Sequence, residues 1–130
     1  MNNSERLNSR YKKYELTSDD YFKHKFYTII TRNGIDKIQA KEGINITYSL
    51  EYKNSSCDVI IIKAKGVHGD KVIETYGEAN PKNNQNSYPV AMAEKRAMSR
   101  VVLKLAGFYE LGAFGIDEAE EFKKSLLNAD

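Results

Sequence analysis

The chain has 130 residues, 41% of them hydrophobic and 29% charged, with a formal net charge of +2. That length suits one domain with its own core, and the composition excludes a disordered or collagenous chain. Cys57 is the only cysteine, which excludes a disulfide within the chain and fits a reducing cytoplasm. It lies in an apolar run and is expected to be a small buried side chain rather than a nucleophile. No apolar run approaches membrane-spanning length, and the opening MNNSERLNSRYKK lacks the apolar centre of a signal peptide. Charge is unevenly placed, with −3 over residues 111–130 and +5 over residues 1–110. A basic body with an acidic tail recurs among nucleic-acid-binding proteins, although a solvated amphipathic helix is the commoner reading of such a tail.

In chain order, residues 1–16 are polar without a clear period and read as a flexible N-terminal arm, with Tyr11 and Tyr14 able to dock. Thr17 and Ser18 before Asp19 and Asp20 look like a helix start. The helix would cover residues 19–30, packing Phe22, Phe26, Ile29 and Ile30 and turning Lys23, His24 and Lys25 away. Asn33-Gly34 reads as a turn. Ile35, Ile38 and Gln39 predict a short second helix ending at Gly43.

The period then changes. Ile44, Ile46, Tyr48, Leu50 and Tyr52 alternate with polar residues, as in a strand with one wet face. Residues 54–56 turn the chain, residues 57–65 form a second strand, residues 66–70 a hairpin, and residues 72–78 a third strand. Gly77 marks a bulge or a close backbone approach. The polar loop 79–87 leads to a long helix over residues 88–107, with Pro89 in its first turn and Gly107 as its stop. After an aromatic linker, FYELGAFG, a terminal helix is expected from Asp117, with Ala119, Phe122, Leu126 and Leu127 on one side. The fold class is α+β: a three-stranded antiparallel meander packed by a long C-terminal helix, with helical additions at both ends. Three regions follow: the arm 1–16, an α-β-β-β-α nucleic-acid-binding domain over residues 17–110, and an acidic helical tail over residues 111–130.

The long helix holds the main candidate site. Val90, Ala91, Ala97, Met98, Val101, Val102 and Leu105 fall on the side that would face a sheet. Arg96, Arg100 and Lys104 recur at four-residue steps and form a basic stripe. Like charges so spaced repel by roughly 0.2–0.5 kcal/mol per pair, and a polyanion along the stripe would relieve this. Lys95, Lys63 and Lys65 are secondary phosphate candidates. Tyr76, with Tyr48, Tyr52, Tyr88 and Tyr109, is a candidate for stacking on bases, as in single-strand binding. Half-buried sheet tyrosines and solvated lysines are the plainer reading of each. Glu94 falls in the apolar sector and should be paired. Met92 and Leu103 fall on the wet side and suggest a subunit interface, hence a homo-oligomer. Glu74, Glu78 and Glu94 would be the only carboxylates placed to gather Mg²⁺, but exposed strand carboxylates are commonplace. The sequence has neither a metal-ligand spacing nor a phosphate-cradling glycine loop, so no metal, cofactor or ATPase activity is expected.

The segments ITRNGIDKIQAKEGI, ETYGEANPKN and YPVAMAEKRAMSRVVLKLAGFYELGAFGIDEAEEF together resemble a family of small phage and mobile-element proteins found in Bacteroidales phages. More distantly, the meander, polar loop and basic helix, with Gly77, Ala91, Lys95, Ala97, Leu103, Lys104 and Gly107, resemble the Rad-fifty-two-like superfamily of Sak-type phage single-strand annealing proteins. That resemblance implies a ring-forming, ATP-independent protein that binds single-stranded DNA in recombination or replication, in the cytoplasm of a bacterial host. The same element order also resembles double-stranded-RNA-binding domains, with Lys95-Arg96 as a partial echo of their basic cluster. A protein-binding accessory or anti-defence factor is the alternative from a different class.

Overall fold

The computed structural model describes residues 2–118. The fold is α+β, with a long helix held between two three-stranded sheets. The order is α1 (Asn3–Lys13), β1 (Tyr21–Lys23), β2 (Thr28–Ile30), α2 (Arg32–Glu42), β3 (Asn45–Lys53), β4 (Ile60–His68), β5 (Lys71–Ala79), α3 (Pro89–Leu105) and β6 (Ala113–Gly115). Short 3₁₀ turns, Tyr109–Leu111 and Ile116–Glu118, flank β6.

The expected meander is β3-β4-β5, antiparallel throughout, with a register shift between Leu50 and Tyr52. The two strand faces have different fates. Ile60, Ile62 and Ala64 of β4 and Thr75, Gly77 and Ala79 of β5 are buried beneath α3, while the other face has no covering layer among the described residues. Alternation in the sequence thus reports the side that α3 covers. β3 overhangs the helix, so Tyr48 and Leu50 stay 40% and 54% exposed although they share the inner face.

Small residues set how closely α3 approaches. A Cβ on Gly77 would lie 1.9 Å from the Ala93 carbonyl oxygen and 2.5 Å from the Ala97 nitrogen. Thr75 Oγ1 donates to the Ala97 carbonyl at 2.7 Å, an inter-element bond that this closeness permits. Gly77 is therefore a close approach rather than a bulge, and Cβ insertion there is overpacking against backbone.

The second sheet, in the order β1-β2-β6, replaces the helix expected over residues 19–30 and the linker expected near Phe114. β1 and β2 form a hairpin, and β2 pairs in parallel with β6. The spacing of Phe22, Phe26, Ile29 and Ile30 suits a helix. The β-branched run Thr28–Thr31 prefers extended backbone, and β6, distant in sequence, supplies its ladder. Ile29 and Ile30 are fully buried, whereas Phe22 and Phe26 are exposed. Asn33-Gly34 is not a loop turn but the first turn of α2: Thr31 caps it, accepting from the Gly34 N–H at 3.3 Å. Gly43 ends α2 in the left-handed conformation, as expected.

Residues 3–13 form a helix rather than a flexible arm. Asn2 caps it through the Glu5 N–H at 2.8 Å. Leu7, Tyr11 and Tyr14, at helical spacing, carry it onto the core. Tyr11 stacks on Tyr21 at 3.8 Å between centroids, and Tyr14 packs on Phe108. Cys57 is also corrected: it is exposed at a positive φ of 60° in the β3–β4 loop, and β4 begins after it. Of the expected terminal helix, only Asp117 and Glu118 are described, in a 3₁₀ turn; Ala119, Phe122, Leu126 and Leu127 lie outside the described residues. No helix among the described residues is long and apolar enough to cross a membrane.

These contacts make two predictions about stability. Gly77→Ala should lower stability by about 3 kcal/mol, because backbone on α3 must move. Chemical denaturation checks this, and unchanged stability would mean that α3 sits farther from β5. The second concerns acid. The Lys37 ammonium, 2.6 Å from Asp20, and the Thr17 N–H hold the Asp20 carboxyl below its ordinary range. Glu42 is lowered too, by the Tyr14 hydroxyl first and then by Lys13 and His68. Depressed carboxylates contribute stability that is complete above an unfolded pKa of about 4 and lost as pH falls through the folded values. Thermal midpoints should therefore hold from neutral pH down to about 5 and fall below about 4, with Asp20→Asn reducing that fall.

Candidate nucleic-acid interface

The basic stripe of α3 does not face solvent as a unit. α3 packs on β4 and β5 on one side and on β6 and α2 on another. Leu103, expected on a wet face, is fully buried; Met92 packs against the cluster of Ile60, Ile62, Ala79 and Ala93. Glu94 is exposed rather than buried in the apolar sector. The observations that suggested a subunit interface on this helix are therefore absent.

Arg96 is 5% exposed and spends its guanidinium on main-chain carbonyls. It donates to Glu78 O at 2.7 Å, Asn83 O at 2.6 Å and Asp117 O at 3.5 Å. It thereby ties α3 to the end of β5, the polar loop and the turn after β6. Arg100 is half-buried. Its Nε is 2.6 Å from Glu118 Oε1, and its Nη1 donates to Tyr76 O. Tyr76 and Glu78 are two residues apart and point their carbonyls to the same side of β5. Among the described residues β5 pairs only with β4, so the two arginines cap its free edge. Neither guanidinium is available as a phosphate contact of the kind expected.

Lys104 is exposed, with its ammonium 5.1 Å from the Tyr109 ring centre. Lys95 is exposed on α3. Lys63, Lys65 and Tyr76 do come together. All three lie on the uncovered face of the meander, where Lys63 is the register partner of Tyr76 and Lys65 that of Glu74. Tyr52 and Tyr76 are 45% and 51% exposed there, with Ile61 between them. A shallow depression is lined by Glu51, Tyr52, Ile61, Tyr76, Glu78 and the rim residue Arg100. Lys63 lies 3.6 Å from both Glu74 and Glu51, whose charges raise its pKa and keep it an ammonium.

Glu74 and Glu78 share this outer face, whereas Glu94 stands on α3 across the sheet, so the carboxylate trio does not form. Among the described residues no group of three His, Cys, Asp or Glu is placed to hold a metal ion. Sequence reasoning missed the role of Asp117, whose Oδ2 accepts from Arg32 at 2.5 Å and Ser99 at 2.8 Å. It also missed the β1–β2 turn, where Lys25 and Phe26 stand exposed instead of lying along a helix. Comparison with protein families, curated proteins and solved structures found no match.

Arg96→Ala should destabilise the fold by about 3 kcal/mol, because it strands buried carbonyl groups. Circular dichroism melts of Arg96→Ala beside Lys95→Ala test this assignment. Equal melts for the two variants would return Arg96 to the solvent-facing stripe.

Proposed function

We propose that this chain binds single-stranded DNA on the open face of its meander and serves phage DNA recombination or replication as an ATP-independent strand-annealing or strand-holding protein, in the cytoplasm of the host. The observation that carries this reading is the uncovered outer sheet face, where exposed Tyr52 and Tyr76 flank Ile61 beside Lys63 and Lys65. Exposed bases stack on such rings while ammonium groups hold phosphates. A duplex hides its bases and gains nothing from the rings. Annealing needs no fuel, since pairing energy drives it; the protein has only to hold strands with bases accessible.

The second reading is a protein-binding accessory or anti-defence factor. The overhang of β3 favours it, because half-exposed Tyr48 and Leu50 lie beside a strand edge that is unpaired among the described residues. That edge is also the surface that fits self-association, now that Met92 and Leu103 do not. A double-stranded-RNA-binding module is disfavoured by the internal use of Arg96.

Fluorescence anisotropy with a labelled deoxythymidine oligomer, its duplex and a duplex RNA, each at several salt concentrations, tests the reading. Single strands should bind most tightly. Lys63→Ala with Lys65→Ala should flatten the log–log salt slope by about 0.7 for each phosphate contact removed. Tyr76→Ala should cost about 1–3 kcal/mol of affinity. Tighter duplex binding, or affinity indifferent to salt, would overturn the proposal.

A further inference from the structure

Strand β3 is nine residues long and forms one border of the meander. Its outward edge is unpaired among the described residues. Every second residue along such an edge turns its N–H and C=O away from the sheet. Proteins discourage pairing there with lysine, proline or a bulge. Residues 45–50, Asn-Ile-Thr-Tyr-Ser-Leu, carry no charge and no proline. Glu51, Lys53 and the register shift all fall at the far end of the strand. The first part of β3 is therefore an unguarded edge.

That edge is also short of cover on one side. Tyr48 and Leu50 pair with Ala64 and Ile62, which are buried beneath α3. α3 lies over β4 and β5, so the two β3 side chains face the helix side of the sheet but project past the helix. Both remain half exposed there, and Ile46 beside them is partly buried against the core.

We infer that two copies of this chain join along β3, antiparallel, about a two-fold axis perpendicular to the sheet, into one six-stranded sheet. The side chains favour this symmetry. The axis keeps both α3 helices on the same side, so Tyr48 and Leu50 of each copy meet those of the other in the strip between the helices. A foreign strand would supply ladder bonds but no second helix to wall that strip. Antiparallel pairing sets the uncharged run of one copy against that of the other. Glu51 and Lys53 of the two copies then lie at opposite ends of the joined edge, and like charges do not face each other. The assembly closes at two. Its remaining borders are both β5, where Arg96 and Arg100 already take the carbonyls of Glu78 and Tyr76. Such a pair needs no nucleic acid and stands apart from the single-strand reading, although it joins two outer meander faces into one surface.

Sedimentation velocity of the full chain at micromolar concentration should show monomer and dimer and nothing larger. Leu50→Lys puts two ammonium groups into the strip and should weaken the dimer by roughly tenfold or more. Leu50 is 54% exposed, so the melt of the dilute chain should be unchanged. Thr47→Cys, Tyr48→Cys, Ser49→Cys and Leu50→Cys, each alone in a Cys57→Ser chain, read the geometry. In an antiparallel pair the residue on the two-fold axis faces itself at disulfide distance. One of the four should therefore oxidise to a linked dimer, and Glu74→Cys on β5 should not. A monomer at every concentration, species that keep growing beyond two, or linkage through Glu74→Cys and through no β3 position would overturn the inference. So would a folded Leu50→Lys chain that dimerises as tightly as the original. If Leu50→Lys does not fold, the β3 cysteine series, which adds no charge, decides alone.

Discussion

Helix α3 must be narrow on two sides at once, and most of the molecule depends on that constraint. Ala93 and Ala97 face the meander, where Gly77 leaves room for backbone to meet backbone. Ser99 faces the small sheet, where a Cβ on Gly115 would come within 2.9 Å of Ser99 Cβ. Close approach on both sides brings many atoms within dispersion range, although each small side chain buries little apolar area. A helix enclosed in this way has little solvent-facing circumference left. Charged residues at four-residue steps are then carried to the rims of the sheets rather than out into water.

At those rims the arginines answer a different need. A strand with a free edge offers its carbonyls to any passing chain, and proteins block such edges with charge or cover. β5 is blocked from within: Arg96 takes the carbonyl of Glu78, and Arg100 takes that of Tyr76. β3, the other edge strand, has no corresponding cap among the described residues. The register shift at Leu50/Tyr52 interrupts its ladder. Growth of this sheet by another strand is therefore open on the β3 side and closed along the capped part of β5, which opposes a head-to-tail ring built by joining β3 to β5.

The meander and long helix were legible in the sequence because their signals are local. Alternation over residues 44–52, turn residues at 54–56 and the Pro89 start each act within a few positions. Gly43 closing α2 was legible for the same reason. The small sheet was not. Its strands are three residues long, and β2 is defined by pairing with β6, far along the chain. α1 had a readable sign in Leu7, Tyr11 and Tyr14, but its polar surroundings concealed it. At the candidate site, strand alternation put Lys63 and Lys65 on one side of β4, and the register with β5 brings Tyr76 beside them. Arg96 and Arg100 were misplaced because a helical wheel shows which residues share a side, not whether a second layer covers that side.

The division of labour between the two kinds of basic residue has a chemical reason. A guanidinium is planar, permanently charged and able to donate in several directions, so it can satisfy several carbonyls or a carboxylate in a confined space. Arg96 and Arg100 do this, and Arg32 does so toward Asp117. An ammonium on a flexible stem is strongly hydrated and acts as a point charge, which suits it to an open surface. On the open surface, Lys65 stands on the outer meander face, Lys63 is held between Glu51 and Glu74, and Lys104 lies over the Tyr109 ring. Point charges contact phosphates without the paired geometry that reads a base edge, and stacking on tyrosine or phenylalanine accepts any base. Under the proposed reading, a chain that commits its arginines to the fold and its lysines and rings to the surface would hold single strands without regard to their sequence.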